Sequence, residues 1–154
     1  MSEAVFMTGE FAIAVHAIVY LNHKRSYLSS EALAKNICTN PARVRMVMSK
    51  LKRGGIILTR EGAAGGYAVQ EGVSDLSLLE VAETVGTTFV GSAWRSGDSD
   101  MKCLVASGMA DVMDGFYSEM DGLCRSYLSK VHISDVEEMI FKGKGDLDAC
   151  GRGD

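Results

Sequence analysis

The sequence predicts a mainly α-helical chain carrying one small β-hairpin and, beyond it, one long helix. Three observations lead there. Between Ser29 and Gly55, two short apolar periodicities of helical spacing are separated by Asn40-Pro41, a strong helix start. Ile56–Arg60 and Tyr67–Gln70 have strand composition, and the glycine-rich run Glu61–Gly66 between them can form the tip of a hairpin. From Lys102 to Val131, apolar residues recur at intervals of four and three over the longest periodic segment of the chain.

The first helix is expected from Thr8 to Asn22, with Thr8 as its cap and Phe11, Val15, Ile18, Val19 and Leu21 as its apolar face. His16 falls among these and reads as a satisfied core residue in preference to a metal ligand. Ser29 or Ser30 can cap the second helix by accepting free N–H groups of its first turn, and Ala32, Leu33 and Ile37 give it an apolar side. The third helix starts at the Asn40 cap with Pro41 at its first position. Val44, Val47, Met48 and Leu51 form its inner face, which leaves Arg43, Arg45, Ser49, Lys50, Lys52 and Arg53 on the others. Gly54-Gly55 ends it, and the hairpin follows as a wing. Two helices, a tight turn and a hairpin in this order make a winged helix-turn-helix, residues 1–74.

Downstream, Glu71–Asp75 is a connector, Ser77 and Glu80 form a capping box for a helix that Leu78, Leu79, Val81, Ala82 and Val85 continue, and Gly86 is the stop. Residues 91–100 have loop composition. In the long helix, Val105, Met109, Val112, Phe116, Met120, Leu123 and Tyr127 make one apolar seam. Gly108, Gly115 and Gly122 each cost it about 1 kcal/mol of helix propensity, a cost that close backbone approach would offset. The seam is too long for a small winged core to cover, so a homodimer is expected. Ser134 and Glu137 suggest a second capping box for a last helix through Phe141. Residues 75–141 thus form a helical dimerisation region, and 142–154 a flexible tail.

Charge points to the partner. The 154-residue chain has a formal charge of −4, yet six basic residues lie between Arg43 and Arg60 with no acid among them. A local basic patch on an acidic protein is an electrostatic footprint for phosphate, and a single helix fits the major groove of duplex DNA. The expected contacts are Ser30, Asn40, Arg43, Arg45 and Lys50 on the helices and Arg60, Gly65, Gly66 and Tyr67 in the wing. No Ser-His-Asp arrangement, phosphate loop or paired metal-ligand motif is visible, so an enzyme is not expected. No apolar run approaches the ~20 residues of a membrane span, no signal peptide is evident, and four irregularly spaced cysteines do not read as a secreted disulfide framework. The expected location is cytoplasmic.

Ser30-Glu31-Ala32-Leu33-Ala34, Leu51-Lys52-Arg53-Gly54-Gly55, Gly65-Gly66-Tyr67 and Ser77-Leu78-Leu79-Glu80-Val81, with the long helix after Cys103, resemble the Rrf2 family of bacterial winged-helix regulators, which includes IscR-, NsrR- and CymR-type proteins. The likeness runs over about residues 8–141. The stretch Asn40–Arg45 and Met101-Lys102-Cys103 look most like the thiol-bearing YwnA- or HypR-like branch. The resemblance implies an operator-binding homodimer. Iron–sulfur members carry three cysteines in the region matching residues 91–115; here that region holds only Cys103, so no cluster, metal or other cofactor is carried over. Arg60 stands one position earlier than the wing arginine of those members, with Glu61 in its place; the YwnA-like branch shares this arrangement.

Cys38 and Cys103 are the redox candidates. Cys38 lies in the turn before the third helix, either as a reactive thiol beside a helix N-terminus or as a small buried apolar residue. Cys103 opens the long helix. It cannot pair with Cys124 within the chain, because twenty-one helical residues separate them by about 31 Å. The function expected is therefore a repressor acting as a homodimer on an inverted-repeat operator and switched by thiol oxidation. A small-molecule effector, or a winged domain used for protein contact without an operator, are the alternatives.

Overall fold

The computed structural model describes residues 9–142. Six helices and one hairpin follow in order: α1 (Glu10–Lys24), α2 (Ser30–Ile37), α3 (Pro41–Arg53), β1 (Ile57–Arg60), β2 (Gly66–Val69), α4 (Leu78–Val85), α5 (Leu104–Leu128) and α6 (Ile133–Phe141), with a 3-10 turn at Val73–Asp75. This is the winged helix-turn-helix with a long additional helix that the residue pattern predicts.

Local signals set most boundaries. The Ser29 hydroxyl accepts the Ala32 N–H at 3.1 Å, and the Asn40 side-chain oxygen accepts the Arg43 N–H at 2.8 Å. At α4, Glu80 N–H donates to Ser77 Oγ at 3.1 Å while Ser77 N–H donates to Glu80 Oε2 at 2.9 Å, so two otherwise free donors are satisfied reciprocally. Gly55, at φ 75°, turns the chain out of α3. The antiparallel register pairs Ile57 with Val69 and Arg60 with Gly66.

Four expectations change. Thr8 lies outside the described residues; α1 begins after Gly9, which supplies no side-chain cap, and continues past Asn22 to Lys24. The last helix is not capped by Ser134 and Glu137. An extended bridge between Ser77 and His132 delivers the chain to the helix earlier, so His132 and Asp135 form the box, and Glu137 accepts a hydrogen bond from Asn22 instead. The long helix is shorter at both ends than Lys102–Val131, with Cys103 as its N-cap. His16 is not a core residue: it sits on the exposed side of α1, its Nε2 2.7 Å from the Asn36 side-chain oxygen.

One apolar core holds the body together. Ala14, Ala17, Ile18 and Leu21 of α1 meet Leu33 of α2, the inner row of α3, Ile57, Val81 and Ile133. It runs through residue 75 without a break, since Val73, Leu78, Val81, Val85 and Ile133 belong to the same cluster. The helix α5 adds little to it. None of its twenty-five residues is buried, although Leu128 packs against the core, and among the described residues nothing beyond the helix's own backbone comes within 4 Å of a Cβ added at Gly108, Gly115 or Gly122.

Hydrogen bonds hold α5 to the body, with Leu128 packed partly buried against the core. At its far end, Leu78 N–H donates to the Val131 carbonyl at 2.8 Å and Ile133 N–H to the Leu76 carbonyl at 3.0 Å. Further back, Asp121 Oδ1 accepts the N–H groups of Phe89 at 2.8 Å and Val90 at 3.0 Å. Its Oδ2 accepts from Arg125 Nε at 2.8 Å, and Arg125 also reaches the Thr87 carbonyl at 2.9 Å. Arg95 pairs with Asp111 and Asp114 on the exposed side.

Burial alone would raise the Asp121 carboxyl, but the Arg125 hydrogen bond and the Val90 and Phe89 N–H groups hold it below the usual carboxylate range. A depressed carboxylate contributes stability above its unfolded value, about 3.9, and loses it as pH falls through the folded value. Asp121→Asn is therefore expected to cost about 1–2 kcal/mol at pH 7, the scale of charged hydrogen bonds lost. Urea unfolding at pH 7 and pH 3, at one protein concentration, checks this. The gap between the two proteins should narrow at pH 3.

Candidate nucleic-acid interface

The inner row of α3 decides which side chains face outward. Val44, Val47, Met48 and Leu51 have none of their surface exposed, which turns Ala42, Arg45, Met46, Ser49, Lys52 and Arg53 to solvent. Among the described residues, Lys52 and Arg53 make no ion pair, so both charges are uncommitted. Arg45 is steadied from α2: its Nη1 donates to Ser30 Oγ at 3.2 Å and lies 3.8 Å from Glu31 Oε1. The Glu31 backbone N–H and the Ser30 hydroxyl hold that carboxyl below its usual range. Ser30 and Arg45 are thus brought together by the helix-turn-helix itself.

Arg43 and Lys50 are on a different flank. Lys50 Nζ is 2.7 Å from Glu10 Oε2, with both side chains largely covered, and the Arg43 guanidinium lies where a Cβ on Gly9 would be. Both brace α3 against the start of α1. The Asn40 side chain is occupied as the helix cap. Ser49, Lys52 and Arg53 lie on the outer faces that helical spacing gives them, although they are not among the contacts expected from the sequence, and Met46 joins them there.

The wing is tied to the turn before α2. Leu28 and Tyr67 exchange backbone hydrogen bonds of 2.9 and 2.8 Å, adding one extended residue beside β2. Gly66 has φ 135° and meets the Leu28 carbonyl so closely that no Cβ fits; a Cβ on Gly65 would strike the Arg60 carbonyl. Both glycines serve close backbone approach, and Tyr67 packs against the core. Arg60 is exposed at the end of β1. Its guanidinium lies 4.1 Å over the Tyr27 ring and donates to the Ala64 carbonyl at 2.7 Å.

The thiols are dispersed. Cys38 is exposed, so it is not a small buried residue, and it sits at the carbonyl end of α2 with φ 64°, its sulfur 3.7 Å from the Lys35 carbonyl. Cys103 is exposed at the N-cap of α5, where the N–H groups of Ala106 and Val105 hold its thiol below the usual range. Cys124 is half-buried near Phe11 and Phe89. Cys150 lies outside the described residues.

Residues 7–138 match the model of the family described as Rrf2, iron-dependent transcriptional regulator. The chain is similar to YwnA of Bacillus subtilis (strain 168), which bears the description HTH-type transcriptional regulator, at 26% identity over 135 residues, 88% of this chain and 99% of that one. It shares the fold of a transcriptional regulator from Lactobacillus plantarum with a TM-score of 0.77 at 23% identity, over 89% of this chain and 93% of the other. It also shares the fold of CymR, the global cysteine regulator of B. subtilis, with a TM-score of 0.63 at 11% identity, over 88% and 98% of the two chains. Iron is in the family's description, but the donor set of the described residues does not fit it, because Cys38, Cys103 and Cys124 are dispersed. Among the described residues, no group of three or more His, Cys, Asp or Glu could hold a metal ion, and no helix is long and apolar enough to cross a membrane. A capped recognition helix, a glycine-built wing and a family match spanning both place the chain in the Rrf2 family of DNA-binding transcriptional regulators.

Proposed function

We propose that this regulator is a homodimer that represses by occupying an inverted-repeat operator, with α3 and the wing reading the DNA and α5 joining the protomers. The observation that carries the reading is the seam of α5. Its seven apolar residues are between 37% exposed, at Met109, and 71% exposed, at Leu123. A continuous stripe of this kind marks an interaction surface. Its intervals of four, three, four, four, three and four read the same in both directions from Phe116. A two-fold antiparallel pairing about Phe116 therefore opposes Val105 to Tyr127, Met109 to Leu123 and Val112 to Met120. The step of eleven residues from Val105 to Phe116 and again to Tyr127 favours nearly straight helices over a left-handed supercoil.

In the reading head, Arg45, Ser49, Lys52 and Arg53 face the major groove and Arg60 the minor groove. Arg43, Lys50, Asn40, Ser30, Gly65, Gly66 and Tyr67 hold these elements in place. Arg45→Ala and Arg53→Ala should each lower the affinity for a duplex selected from a random pool by about 1–3 kcal/mol if they touch bases. Arg43→Ala should show more loss of stability than of binding. Fluorescence anisotropy over a salt series measures both the affinity and the number of phosphate contacts, since log K falls linearly with log salt. A flat salt response would favour protein contact without an operator.

Phe116→Asp should leave the body folded, because Phe116 is 58% exposed and outside the core. Placed on the two-fold axis, it sets two carboxylates against each other. Sedimentation should show a monomer, and operator affinity should fall at least tenfold. A variant that is still dimeric would remove α5 as the dimer helix.

Switching is assigned to Cys103. Its thiolate attacks one peroxide oxygen, the O–O bond breaks, hydroxide leaves and takes up a proton as water, and the sulfur becomes a sulfenic acid. The backbone N–H groups of Val105 and Ala106 favour the reactive thiolate, and the exposed position gives access. Gel shifts after peroxide should show weaker operator binding in the wild type and in Cys38→Ser, and no change in Cys103→Ser. The second reading is a small-molecule effector. It is favoured by an apolar groove of about 500 Å³ between α1 and α6, bordered by Val15, Val19, Ile140 and Phe141 with His16 and Asn36 at its polar edge. It would lead if peroxide leaves all three proteins unchanged.

A further inference from the structure

We propose that Asp121 sets the half-site spacing this regulator selects, by fixing the angle between α5 and the reading head. This rests on the dimer and operator reading above and adds the residue that determines its geometry. No residue of α5 is fully buried, and Leu128, which packs partly buried against the core, sits at its C-terminal end, so packing alone leaves the direction of the axis open. Two attachments fix it. The first is the backbone bridge of residues 76–78 to 131–133, at the C-terminal end. The second is Asp121, whose one oxygen takes the N–H groups of the consecutive residues Phe89 and Val90 and whose other takes Arg125. Two fixed points on a helix determine a line.

The second point leads directly to the DNA-reading core. Phe89 stacks edge-on against Phe11 of α1, with ring centroids 5.4 Å apart. Arg125 is held to the Thr87 carbonyl and lies 6.0 Å from the Phe89 ring. Beyond Asp121, toward Leu104, α5 extends seventeen residues, about 26 Å at 1.5 Å per residue. Any rotation allowed at the latch is therefore amplified along the part of the seam that joins the protomers. Duplex DNA penalises such rotation in discrete steps: one base pair of spacer moves a half-site about 3.4 Å and a tenth of a turn. Asp121 is a positioning residue in this account and touches no base.

The test uses the half-site that the full chain selects from a random duplex pool, rebuilt as inverted repeats whose spacers differ by single base pairs. Wild type should prefer its best spacer at least tenfold over spacers one pair longer or shorter. In Asp121→Ala the preference should fall below threefold, while the protein remains dimeric by sedimentation and its affinity for a single half-site stays within twofold. Asp121→Asn keeps an acceptor for the two N–H groups and should give an intermediate profile; it carries the test if the alanine variant does not fold. Ile13→Val, which weakens the core away from the latch, should keep the wild-type profile. A wild-type profile in Asp121→Ala, or the same flattening in Ile13→Val, overturns the inference. Wild type that binds one half-site as tightly as a pair would instead overturn the operator reading beneath it.

Discussion

Four side chains with no exposed surface, Val44, Val47, Met48 and Leu51, anchor α3, and the remainder of the molecule depends on that contact. Burying an aliphatic side chain yields about 1.5–3 kcal/mol, so rolling this helix would expose a row of such groups at once. The outward row is consequently fixed in direction, and Lys52 and Arg53 need no partner to turn them outward. Flanking pairs sharpen the setting from both sides: Lys50 with Glu10 toward α1, and Arg45 with Ser30 toward α2. The core that achieves this is small, and α5 adds no fully buried residue to it. Rigid reading and an uncovered helix are two results of the same allocation of apolar surface.

What the sequence made legible is local. Asn40, the Ser77–Glu80 box and the Gly54-Gly55 stop act within a few residues, and each set a boundary close to where it was expected. The α5 seam was readable for the same reason, because periodicity survives without knowledge of neighbours. Contacts between distant residues were not readable. Nothing near Lys50 indicates that Glu10, forty positions away, takes up its charge, and nothing near Asp121 announces Phe89 and Val90. His16 looked internal from the residues beside it, yet helical phase puts it on the outer side of α1. Ser134 and Glu137 had the right spacing for a cap, but the Ser77–His132 bridge had already decided where the chain turns.

The family's description names iron, a chemistry for which the described residues of one protomer gather no donor set. Cys38, Cys103 and Cys124 occupy a helix-turn corner, the exposed start of α5 and the edge of the core. Cluster ligation needs thiolates gathered at one place, whereas single exposed thiols suit reactions with small oxidants. The scaffold that reads DNA is thus retained with a different set of sulfur positions, and the two are separable properties of the fold.

The wing glycines constrain how such a protein can diverge. Gly65 faces the Arg60 carbonyl and Gly66 the Leu28 carbonyl, both too close for any larger residue. Mutational drift at these two sites is shut off by backbone geometry, whatever sequence the protein is selected to recognise. The exposed tip from Glu61 to Ala64 has no such restriction; a Cβ at Gly62 would meet nothing within 4 Å, although its φ of 99° favours glycine. Sequence change in descendants of this chain is therefore easier at the exposed positions of the tip other than Gly62 and along the outward row of α3 than at the hinge of the wing.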